Sequence, residues 1–470
     1  MAKTGGHGVV LGASIAGMLA ARVLSDHFDT VTIVERDVLG DAPENRRGVA
    51  QGRHLHGLLL RGAQSLDELF PGFLDELVAD GAPCFDGSDL SRLYFCMNGH
   101  LGVRSGSSQK IRAYGSSRPF LEYHIRRRLR AMPNIAMLDA HDFVDLTTTA
   151  QRDRVIGVST ASHDGNKMSQ LPADLVVDAT GRGARTPVML ERLGYGRPAE
   201  DKVTVHLKYS TQLFRLPPGA LREMGMVVSP VPGRPRGLAL AQCEHDTHMV
   251  TLFGMAGDDP PDTFSEMLEY AGTFVPPQAM AALEAATPLA PPTQYRYPSS
   301  RWYRYDRAQR LPDGLLVVGD AVCSFNPIYA QGMTVAALEA LALQDCLAKG
   351  TADLPRRFFR ASAKPIRQAW QLAVGGDLSL PEIEGSPPLA TRLMNPYIDR
   401  ILTAAEYDIS VLEQFIRVAW LVDSPAKLMR PAMIARAITA KRRRPAAEPE
   451  TATVQRYSTL TGAWPDQRKA

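Results

Sequence analysis

Near the N-terminus stands the stretch Val9-Val10-Leu11-Gly12-Ala13-Ser14-Ile15-Ala16-Gly17-Met18-Leu19-Ala20-Ala21-Arg22. Its apolar start, glycine-rich centre and alanine-rich end predict a strand, a tight turn and a helix. Gly12 would allow the turn and Gly17 the close packing of helix on strand, and the helix start would offer free N–H groups to a pyrophosphate. Ser14 occupies the middle glycine position of the G-x-G-x-x-G pattern and adds a hydroxyl donor. By itself the pattern fits an ordinary strand–helix turn equally well.

The next predicted strand, Val31-Thr32-Ile33-Val34, ends in an acid at a spacing typical of dinucleotide sites. Glu35 follows Gly17 by 18 residues. A carboxylate there can accept hydrogen bonds from both hydroxyls of an adenosine ribose, whereas the alternative is a solvated charge at a strand end. The glycine turn upstream favours the ribose role, so the chain begins with a site for NAD or FAD.

The length and composition of this 470-residue chain limit the classes of protein to which it can belong. Its length predicts two or three compact units. The formal net charge of +3 is spread along the chain, which argues against a nucleic-acid partner. One dense basic run, Lys441-Arg442-Arg443-Arg444, stands in a tail that contains proline and glutamate, and we interpret it as a solvated end rather than a membrane or nucleic-acid contact.

Cysteines and apolar runs indicate the compartment. The five cysteines form no C-x-x-C pair and are odd in number, which fits a reducing cytoplasm better than a disulfide framework. The N-terminal apolar run is interrupted by glycines and lacks a cleavage-site pattern, which favours a first strand over a signal peptide. No apolar run approaches membrane-spanning length. We therefore expect a cytoplasmic protein without an integral membrane segment.

A basic loop follows the second strand, with three arginines and two histidines between Arg46 and His56. In a dinucleotide fold these groups could reach the pyrophosphate or the far end of the cofactor, although a solvated loop is the alternative. No cysteine or carboxylate joins His54 and His56 at ligand spacing, so no metal site is predicted.

The rest of the chain divides into recognisable segments. Ser117 is a plausible N-cap of a helix that stops before Pro133, and Arg118 lies at the mouth of that helix, where an anion is favoured. Strands are predicted at 135–138, 155–160 and 174–178, and a largely antiparallel sheet between 203 and 253. Residues 355–440 are predicted to be mostly helical.

A second motif is more specific than the first. A predicted strand runs into Gly319-Asp320, and Pro327 precedes Gly332 and Met333 at the start of an alanine-rich helix. Asp320 would meet a polyol hydroxyl, and the helix start would present N–H groups and its positive dipole end to an anion-like oxygen. A ribityl chain and an electron-accepting ring need this arrangement, whereas NAD does not. The second motif therefore favours FAD.

Together these motifs resemble the FAD-dependent aromatic hydroxylases of the p-hydroxybenzoate hydroxylase type. The resemblance rests on Gly12-x-Ser14-x-x-Gly17 with Glu35, Asp174–Gly181, and Gly319-Asp320-Ala321 with Pro327 and Gly332. In detail the chain is similar to the branch that holds squalene epoxidase and the bacterial polyether epoxidases, through Arg47-Gly48-Val49-x-Gln51-x-Arg53-His54-x-His56, Asp178–Gly183 and Phe325–Tyr329. The resemblance spans roughly residues 8–350.

The resemblance implies an α/β fold: a Rossmann-like FAD-binding domain of the GR2 type, an inserted, mainly antiparallel β-sheet substrate domain and a C-terminal helical region. The implied segments are 1–80, 116–190 and 296–354 for the FAD-binding domain, 81–115 and 191–295 for the substrate strands and sheet, 355–440 for the helical region, and 441–470 for a flexible tail.

The resemblance also implies cofactor contacts. Ser14 and Glu35 would hold the AMP half of FAD, Asp320 the ribityl chain, and Gly332 and Met333 the pyrimidine edge. The complete predicted set is Gly12, Ser14, Ile15, Ala16, Gly17, Glu35, Arg36, Arg47, Arg53, His54, Arg118, Gly319, Asp320, Pro327, Gly332 and Met333. The hydroxylases usually carry Asp-Gly where this chain has Ala179-Thr180-Gly181. The electron donor therefore stays open between NADPH, NADH and a partner flavin reductase.

In that family reduced FAD captures O2 as a C4a-hydroperoxide, which delivers one oxygen atom to the substrate. The cofactor carries the chemistry, and the sequence offers no Ser–His–Asp or paired-carboxylate pattern, so no catalytic residue is predicted. Epoxidation of an alkene needs no general base, whereas phenol hydroxylation gains from one, for which His54, His56 and Tyr329 are the nearest candidates. Hydroxylation and epoxidation both stay open.

The substrate is expected at the middle sheet, where His206, Tyr209 and Phe214 stand among aliphatic residues, with Tyr329 nearby in the second motif. Together with the apolar helical region after 355, these residues suggest a bulky, mostly apolar small molecule from secondary metabolism, such as a polyketide, terpenoid or quinone-like ring.

Other function classes remain open. A FAD-dependent reductase or dehydrogenase of the geranylgeranyl-reductase type shares these motifs and would differ in its oxygen uptake. A flavin halogenase is disfavoured because none of the four tryptophans forms a W-x-W-x-I-P stretch. A non-catalytic flavin-binding module is the third alternative.

Overall fold

The structure, a computed structural model, describes residues 3–165 and 167–440, so the tail at 441–470 with its basic run lies outside the described residues. The strands are β1 (Gly5–Leu11), β2 (Phe28–Val34), β3 (Cys84–Phe85), β4 (Leu93–Met97), β5 (His100–Leu101), β6 (Ala113–Tyr114), β7 (Ile135–Leu138), β8 (His141–Thr148), β9 (Val155–Ser162), β10 (Met168–Pro172), β11 (Leu175–Asp178), β12 (Glu200–Arg215), β13 (Gly225–Val228), β14 (Arg236–Gln242), β15 (Thr247–Gly254), β16 (Thr287–Pro288), β17 (Thr293–Tyr303), β18 (Leu315–Val317) and β19 (Cys323–Ser324). The helices are α1 (Ile15–His27), α2 (Leu60–Leu69), α3 (Phe73–Ala79), α4 (Arg118–Arg130), α5 (Thr186–Arg192), α6 (Phe264–Gly272), α7 (Pro277–Glu284), α8 (Gly332–Leu347), α9 (Leu354–Asp377), α10 (Leu389–Ala405), α11 (Ile409–Ala419) and α12 (Pro431–Thr439).

A parallel sheet in the order β18-β11-β1-β2-β7 forms the first layer. Its central strands are apolar on both faces, and Val9, Val176 and Leu316 are completely buried, as expected of a parallel sheet covered by helices. Because all five strands run the same way, their carboxyl ends meet at one edge. The turns that carry Gly12, Glu35 and Gly319 therefore lie at the same edge of the sheet.

A larger mixed sheet lies beside it, in the order β19-β17-β12-β15-β14-β13-β4-β5, with β16 paired to β12. Its pairs are antiparallel except for β4 with β13. Two segments that are distant in the chain thus form one surface, since β4 and β5 extend the sheet built between Glu200 and Tyr303. A third sheet, β10-β9-β8, is antiparallel and separate.

The C-terminal helices cover one end of the large sheet. Ile401 of α10 and Val411 and Ile416 of α11 are buried in one apolar cluster with Phe85 and Met224. Helix α9 packs instead on the first layer, where Phe358 is fully buried. The helical region is thus shared between the two layers and closes the space between them.

The fold class is confirmed: a Rossmann-like parallel layer, a mainly antiparallel sheet and a helical C-terminal region are all present. Ser117 caps α4 as predicted, because its Oγ accepts a hydrogen bond from Phe120 N at 3.3 Å. Strands β8 and β10 were not predicted. Their side chains are mostly half-buried or exposed, so neither shows the apolar run of an interior strand.

No helix among residues 3–165 and 167–440 combines the length and the apolar character needed to cross a membrane.

Candidate functional site

The glycine turn after β1 has the geometry that the sequence predicts. Gly12 has a φ of +100°, and a Cβ there would lie 2.7 Å from the carbonyl oxygen of Ala179. A Cβ on Gly17 would lie 1.9 Å from the carbonyl oxygen of Gly12. Both positions therefore require glycine, one for its backbone conformation and one for the close approach of α1 to the turn.

Glu35 lies buried beside this turn at the end of β2. Its Oε2 accepts a hydrogen bond from Ala13 N at 2.6 Å and its Oε1 one from Asp37 N at 3.0 Å. Arg46 Nη1 lies 3.3 Å from Oε2. A carboxylate has about four lone-pair positions, so Glu35 keeps capacity for further hydroxyl donors.

Ser14, Arg118, Glu122 and Arg46 form one buried network around the start of α1. Glu122 accepts hydrogen bonds from Ser14 Oγ at 2.6 Å, Arg118 Nε at 2.8 Å and Arg46 Nη2 at 2.6 Å. Arg118 Nη2 also donates to Ser14 Oγ at 2.8 Å. Burial opposes ionisation, but the two guanidinium groups outweigh it and lower the pKa of Glu122 to about 2. The network fixes the Ser14 hydroxyl and both arginines at the helix mouth.

The second motif brings Asp320 to the same edge of the parallel sheet. Gly319 has a φ of +64°, and its N–H donates to Glu339 Oε2 at 2.8 Å. Burial, reinforced by Asp320, raises the pKa of Glu339 to about 8, so this acid is mostly neutral at pH 7. Asp320 itself faces open space and makes no hydrogen bond to any described residue. Desolvation by the surrounding protein raises the pKa of Asp320. The positive charges of Arg182, Arg118 and Arg301 lower it by a smaller amount.

These groups face one cavity of about 2050 Å³ between the two layers. Pockets for a single drug-sized ligand measure about 300–1,000 Å³, so the cavity has room for two large ligands. One part contains the glycine turn, Glu35 and Asp320. The other extends beneath the C-terminal helices and is lined mostly by apolar side chains, among them Met226, Leu240, Ile398, Phe415 and Trp420.

Most predicted site residues line this cavity. Those that do are Gly12, Ser14, Ile15, Ala16, Glu35, Arg36, Arg47, Arg118, Gly319, Asp320, Pro327, Gly332 and Met333 of the cofactor set, with Tyr209 and Tyr329 of the substrate set. Gly17, Arg53, His54, His206 and Phe214 do not line it. For Gly17 this agrees with the predicted packing role.

The other four predicted residues lie away from the cavity, each for its own reason. His54 is buried against the large sheet, where its Nδ1 lies 2.7 Å from Thr211 Oγ1, and burial lowers its pKa to about 3. Arg53 and His206 are exposed, and His206 stands at a bulge of β12 with a φ of +44°. Phe214 is completely buried in an apolar cluster.

His56, which alternates with His54, lines the cavity instead. Its Nδ1 lies 2.9 Å from the carbonyl oxygen of His54. Burial, with a smaller contribution from Arg118, lowers the pKa of His56 to about 4, so the ring is neutral at pH 7. Of the two histidines, the structure therefore places only His56 at the cavity, whereas the predicted cofactor set contains His54.

Two buried or cavity-lining residues, Glu122 and Arg182, were missed, and Arg46 was counted only with the basic loop. Arg46 and Glu122 belong to the network at the helix mouth, and Glu122 follows Arg118 by four residues, a spacing that predicts a pair on one helix face. Arg182 lies over the Tyr297 ring, 4.3 Å from its centre, and lines the cavity near Asp320. Of the two missed residues, only Glu122 gave a signal in the sequence, through its spacing from Arg118.

This fold is shared with solved flavoproteins. A flavin-dependent brominase, Bmp2, aligns with a TM-score of 0.62 over 93% of this chain and 99% of its own, at 15% identity. A flavoprotein/dehydrogenase from Cytophaga hutchinsonii aligns with a TM-score of 0.64 over 93% of this chain and 98% of its own, at 14% identity. PqsL, a probable FAD-dependent monooxygenase from Pseudomonas aeruginosa, aligns with a TM-score of 0.58 over 79% and 97% of the two chains, at 16% identity.

Sequence relatives agree with the structural ones. Kynurenine 3-monooxygenase of Salinispora tropica is 23% identical over 362 residues, which are 72% of each protein. No family model matches the chain. The solved structures share the fold, and together with the sequence relative they bear out the predicted oxidoreductase. The chain belongs to the family of Protein Rv3254 of Mycobacterium tuberculosis, with 41% identity over 446 residues, covering 92% of this chain and 93% of that protein.

Proposed function

We propose that the chain binds FAD along the edge where the strands of the parallel sheet end. Ser14 and Arg118 would face the pyrophosphate, Glu35 the adenosine ribose and Asp320 the ribityl chain. Gly332, at the start of α8, would face the flavin ring. When bound, FAD would supply the redox chemistry.

Two features of the cavity support this fit. Asp320, Arg36 and Arg47 line the cavity, and none of them has a hydrogen-bond or ion-pair partner among the described residues. A Cβ added to Gly332 would meet no atom within 4 Å, so the start of α8 is open to a ligand. The lining therefore presents one acid, two cations and a helix N-terminus, which suits a polyol linked to a pyrophosphate.

We propose that the reaction is a monooxygenation, in which one atom of O2 enters an organic substrate and NADPH, NADH or a partner flavin reductase supplies the electrons. The chain would orient the substrate and exclude water. The apolar part of the cavity, between the large sheet and the C-terminal helices, is the single observation that carries this proposal. It suits a bulky, mostly apolar substrate for hydroxylation or epoxidation, and we place the chain near the squalene epoxidase branch on the motifs quoted above.

The test uses purified protein loaded with FAD. Flavin content is measured first, and oxygen consumption is then followed with NADPH or NADH in the presence of apolar aromatic and polyene compounds. We expect about one FAD per chain and oxygen uptake that a suitable compound stimulates. Substrate reduction without oxygen uptake would favour the reductase alternative, and a chain that binds no FAD would overturn the proposal.

A further inference from the structure

The turn between β14 and β15 reaches from the large sheet to the edge that we assign to the cofactor. Within it, His245 and Asp246 both have a φ of +55°. Two consecutive non-glycine residues in the left-handed region are uncommon and persist only where surrounding contacts hold them. Hydrogen bonds from Cys243 N to Thr247 O at 2.7 Å and from Thr247 Oγ1 to Glu244 O at 2.8 Å close the turn. The backbone therefore fixes the direction in which Glu244 points.

Glu244 binds the start of α4. Its Oε2 accepts a hydrogen bond from Ser117 N at 2.8 Å and its Oε1 one from Ser117 Oγ at 2.5 Å. The helix dipole and the free N–H groups at a helix N-terminus favour a carboxylate in this place. The rings of Phe120 and His245 meet beside it, edge to face, with centres 6.0 Å apart. The large sheet thus holds the first turn of a helix whose apolar face is buried in the core of the parallel layer.

Ser117 is followed directly by Arg118, which lines the cavity, whereas Ser117 and Glu244 do not. Arg118 Nε donates to Glu122 and its Nη2 to Ser14, and its Nη1 has no partner among the described residues. In the function proposed above, this guanidinium faces the pyrophosphate. Because the two residues are adjacent in the chain, any shift of Ser117 also moves Arg118.

We propose that Glu244 is a positioning residue for the cofactor, which acts through Ser117 and sets where Arg118 meets the pyrophosphate. The inference rests on the proposed FAD site. It adds that the sheet assigned to the substrate also tunes the affinity for the cofactor, from a residue outside the cavity. The alternative is a contact that only joins the two layers, which would change stability but not FAD binding.

The direction of the effect separates positioning from charge. An anion near the pyrophosphate repels it, so loss of the Glu244 charge alone would strengthen FAD binding. Loss of a positioning contact weakens FAD binding instead. The amide of Glu244→Gln removes the charge but can still accept a hydrogen bond from Ser117 N and donate one to Ser117 Oγ.

The experiment compares apoprotein of wild type, Glu244→Ala, Glu244→Gln and a control, Glu266→Ala. Glu266 is matched to Glu244 because it also contacts the N-cap of a helix, Thr263 of α6, whose Oγ1 donates to Glu266 Oε2 at 2.6 Å. It does not line the cavity. Fluorescence titration gives the dissociation constant for FAD, and urea unfolding of the same samples shows that each variant is folded.

We expect Glu244→Ala to bind FAD about 10-fold more weakly than wild type, and Glu244→Gln to stay within about twofold of wild type. Glu266→Ala should bind FAD as wild type does. Unchanged or tighter FAD binding by Glu244→Ala would overturn the inference. Glutamine at 244 that weakens binding as much as alanine would also overturn it, because the hydrogen-bonding shape would then not matter.

A double-mutant cycle with Arg118→Met tests the route of the effect. In that background Glu244→Ala should change the affinity for FAD by less than about twofold, because the guanidinium that it positions is gone. The full loss in that background would show that Glu244 does not act through Arg118, against the inference. Wild type that binds no FAD would overturn the proposed function as well, whereas normal binding by wild type and by Glu244→Ala would overturn this inference alone.

Discussion

Asp320 and Glu35 carry their carboxylates near the ends of two strands, but their surroundings differ. Asp320 has no partner among the described residues, whereas Glu35 accepts backbone hydrogen bonds from Ala13 and Asp37. Asp320→Ala should weaken FAD binding by about 10- to 150-fold, since a hydrogen bond to a charged group contributes about 1.5–3 kcal/mol. It should leave the unfolding free energy of the apoprotein unchanged. Fluorescence titration with FAD and urea unfolding measure the two quantities.

Glu35→Ala is compared with Asp320→Ala. It should weaken FAD binding comparably and also lower the unfolding free energy by about 1–3 kcal/mol, because a buried N–H is left unsatisfied. Stoichiometric flavin in both purified variants would refute the assignment of these two acids.

Substitutions at Gly17 and Gly332 test two different roles of glycine, close packing and space for a ligand. Gly17→Ala should destabilise the apoprotein by about 1–3 kcal/mol, because the new Cβ overlaps the Gly12 carbonyl at 1.9 Å. Gly332→Ala has open space, so it should retain full stability but bind FAD less tightly, since the methyl group would enter the space assigned to the flavin. Urea unfolding and FAD titration of both variants test this contrast. Equal stability of the two variants would argue against the packing role of Gly17.

Helices α1 and α4 are joined through Glu122. Glu122→Gln should lower the unfolding free energy by about 3–5 kcal/mol, because Arg118 keeps its buried charge without a counter-charge, whereas Arg46 retains Glu35. Glu191→Gln is the matched control, since Glu191 pairs with Arg197 at the surface, where such pairs contribute about 0–1 kcal/mol. Both are measured by urea unfolding of apoprotein. Similar small losses in the two variants would show that the network contributes little.

Strand β5 and helix α10 meet at His100, whose ring nitrogens lie 2.7 Å from Glu406 Oε1 and 3.0 Å from Asp399 Oδ1. These carboxylates raise the pKa of His100 above its usual 6.5. The stabilisation is therefore complete below pH 6.5 and is lost as the pH rises through the folded-state pKa. His100→Gln should lower the melting temperature clearly at pH 6 and less at pH 8.5. His163→Gln, at an exposed pair with Asp142, is the control. A deficit that does not change with pH would contradict this assignment.

Local patterns predicted the elements that carry the site, and long-range contacts decided which side chains reach it. The turn at Gly12, the acid at Glu35 and the motif from Gly319 to Gly332 follow from short spacings that encode a strand, a turn and a helix. Asp377 lies 51 residues from Asn326, and only the packing of α9 brings them together. No spacing in the sequence predicts that contact.

His54 and His56 show the same limit of prediction from sequence over a shorter segment of the chain. His54 and His56 alternate with Leu55 and would share one face of an extended segment, but residues 50–53 form a 3-10 turn and the following residues are irregular. His54 then packs on Tyr209, with ring centres 4.5 Å apart, and His56 takes the cavity position. The orientation of a side chain on an irregular segment depends on its tertiary neighbours.

In the molecule as a whole, three separated parts of the chain enclose one cavity. The parallel layer supplies the polar edge, the large sheet supplies a wall, and the C-terminal helices close the apolar part. The sequence predicted each part, but the cavity results from their assembly. A ligand at the polar edge would therefore be next to a ligand in the apolar part.

The most direct measurement is rapid mixing of FAD-loaded, anaerobically reduced protein with oxygenated buffer, followed by absorbance across the flavin spectrum. A monooxygenase should return to oxidised flavin in two phases, through a species whose spectrum matches neither the reduced nor the oxidised form. Return in a single phase, with no such species at any oxygen concentration, would contradict the proposed function.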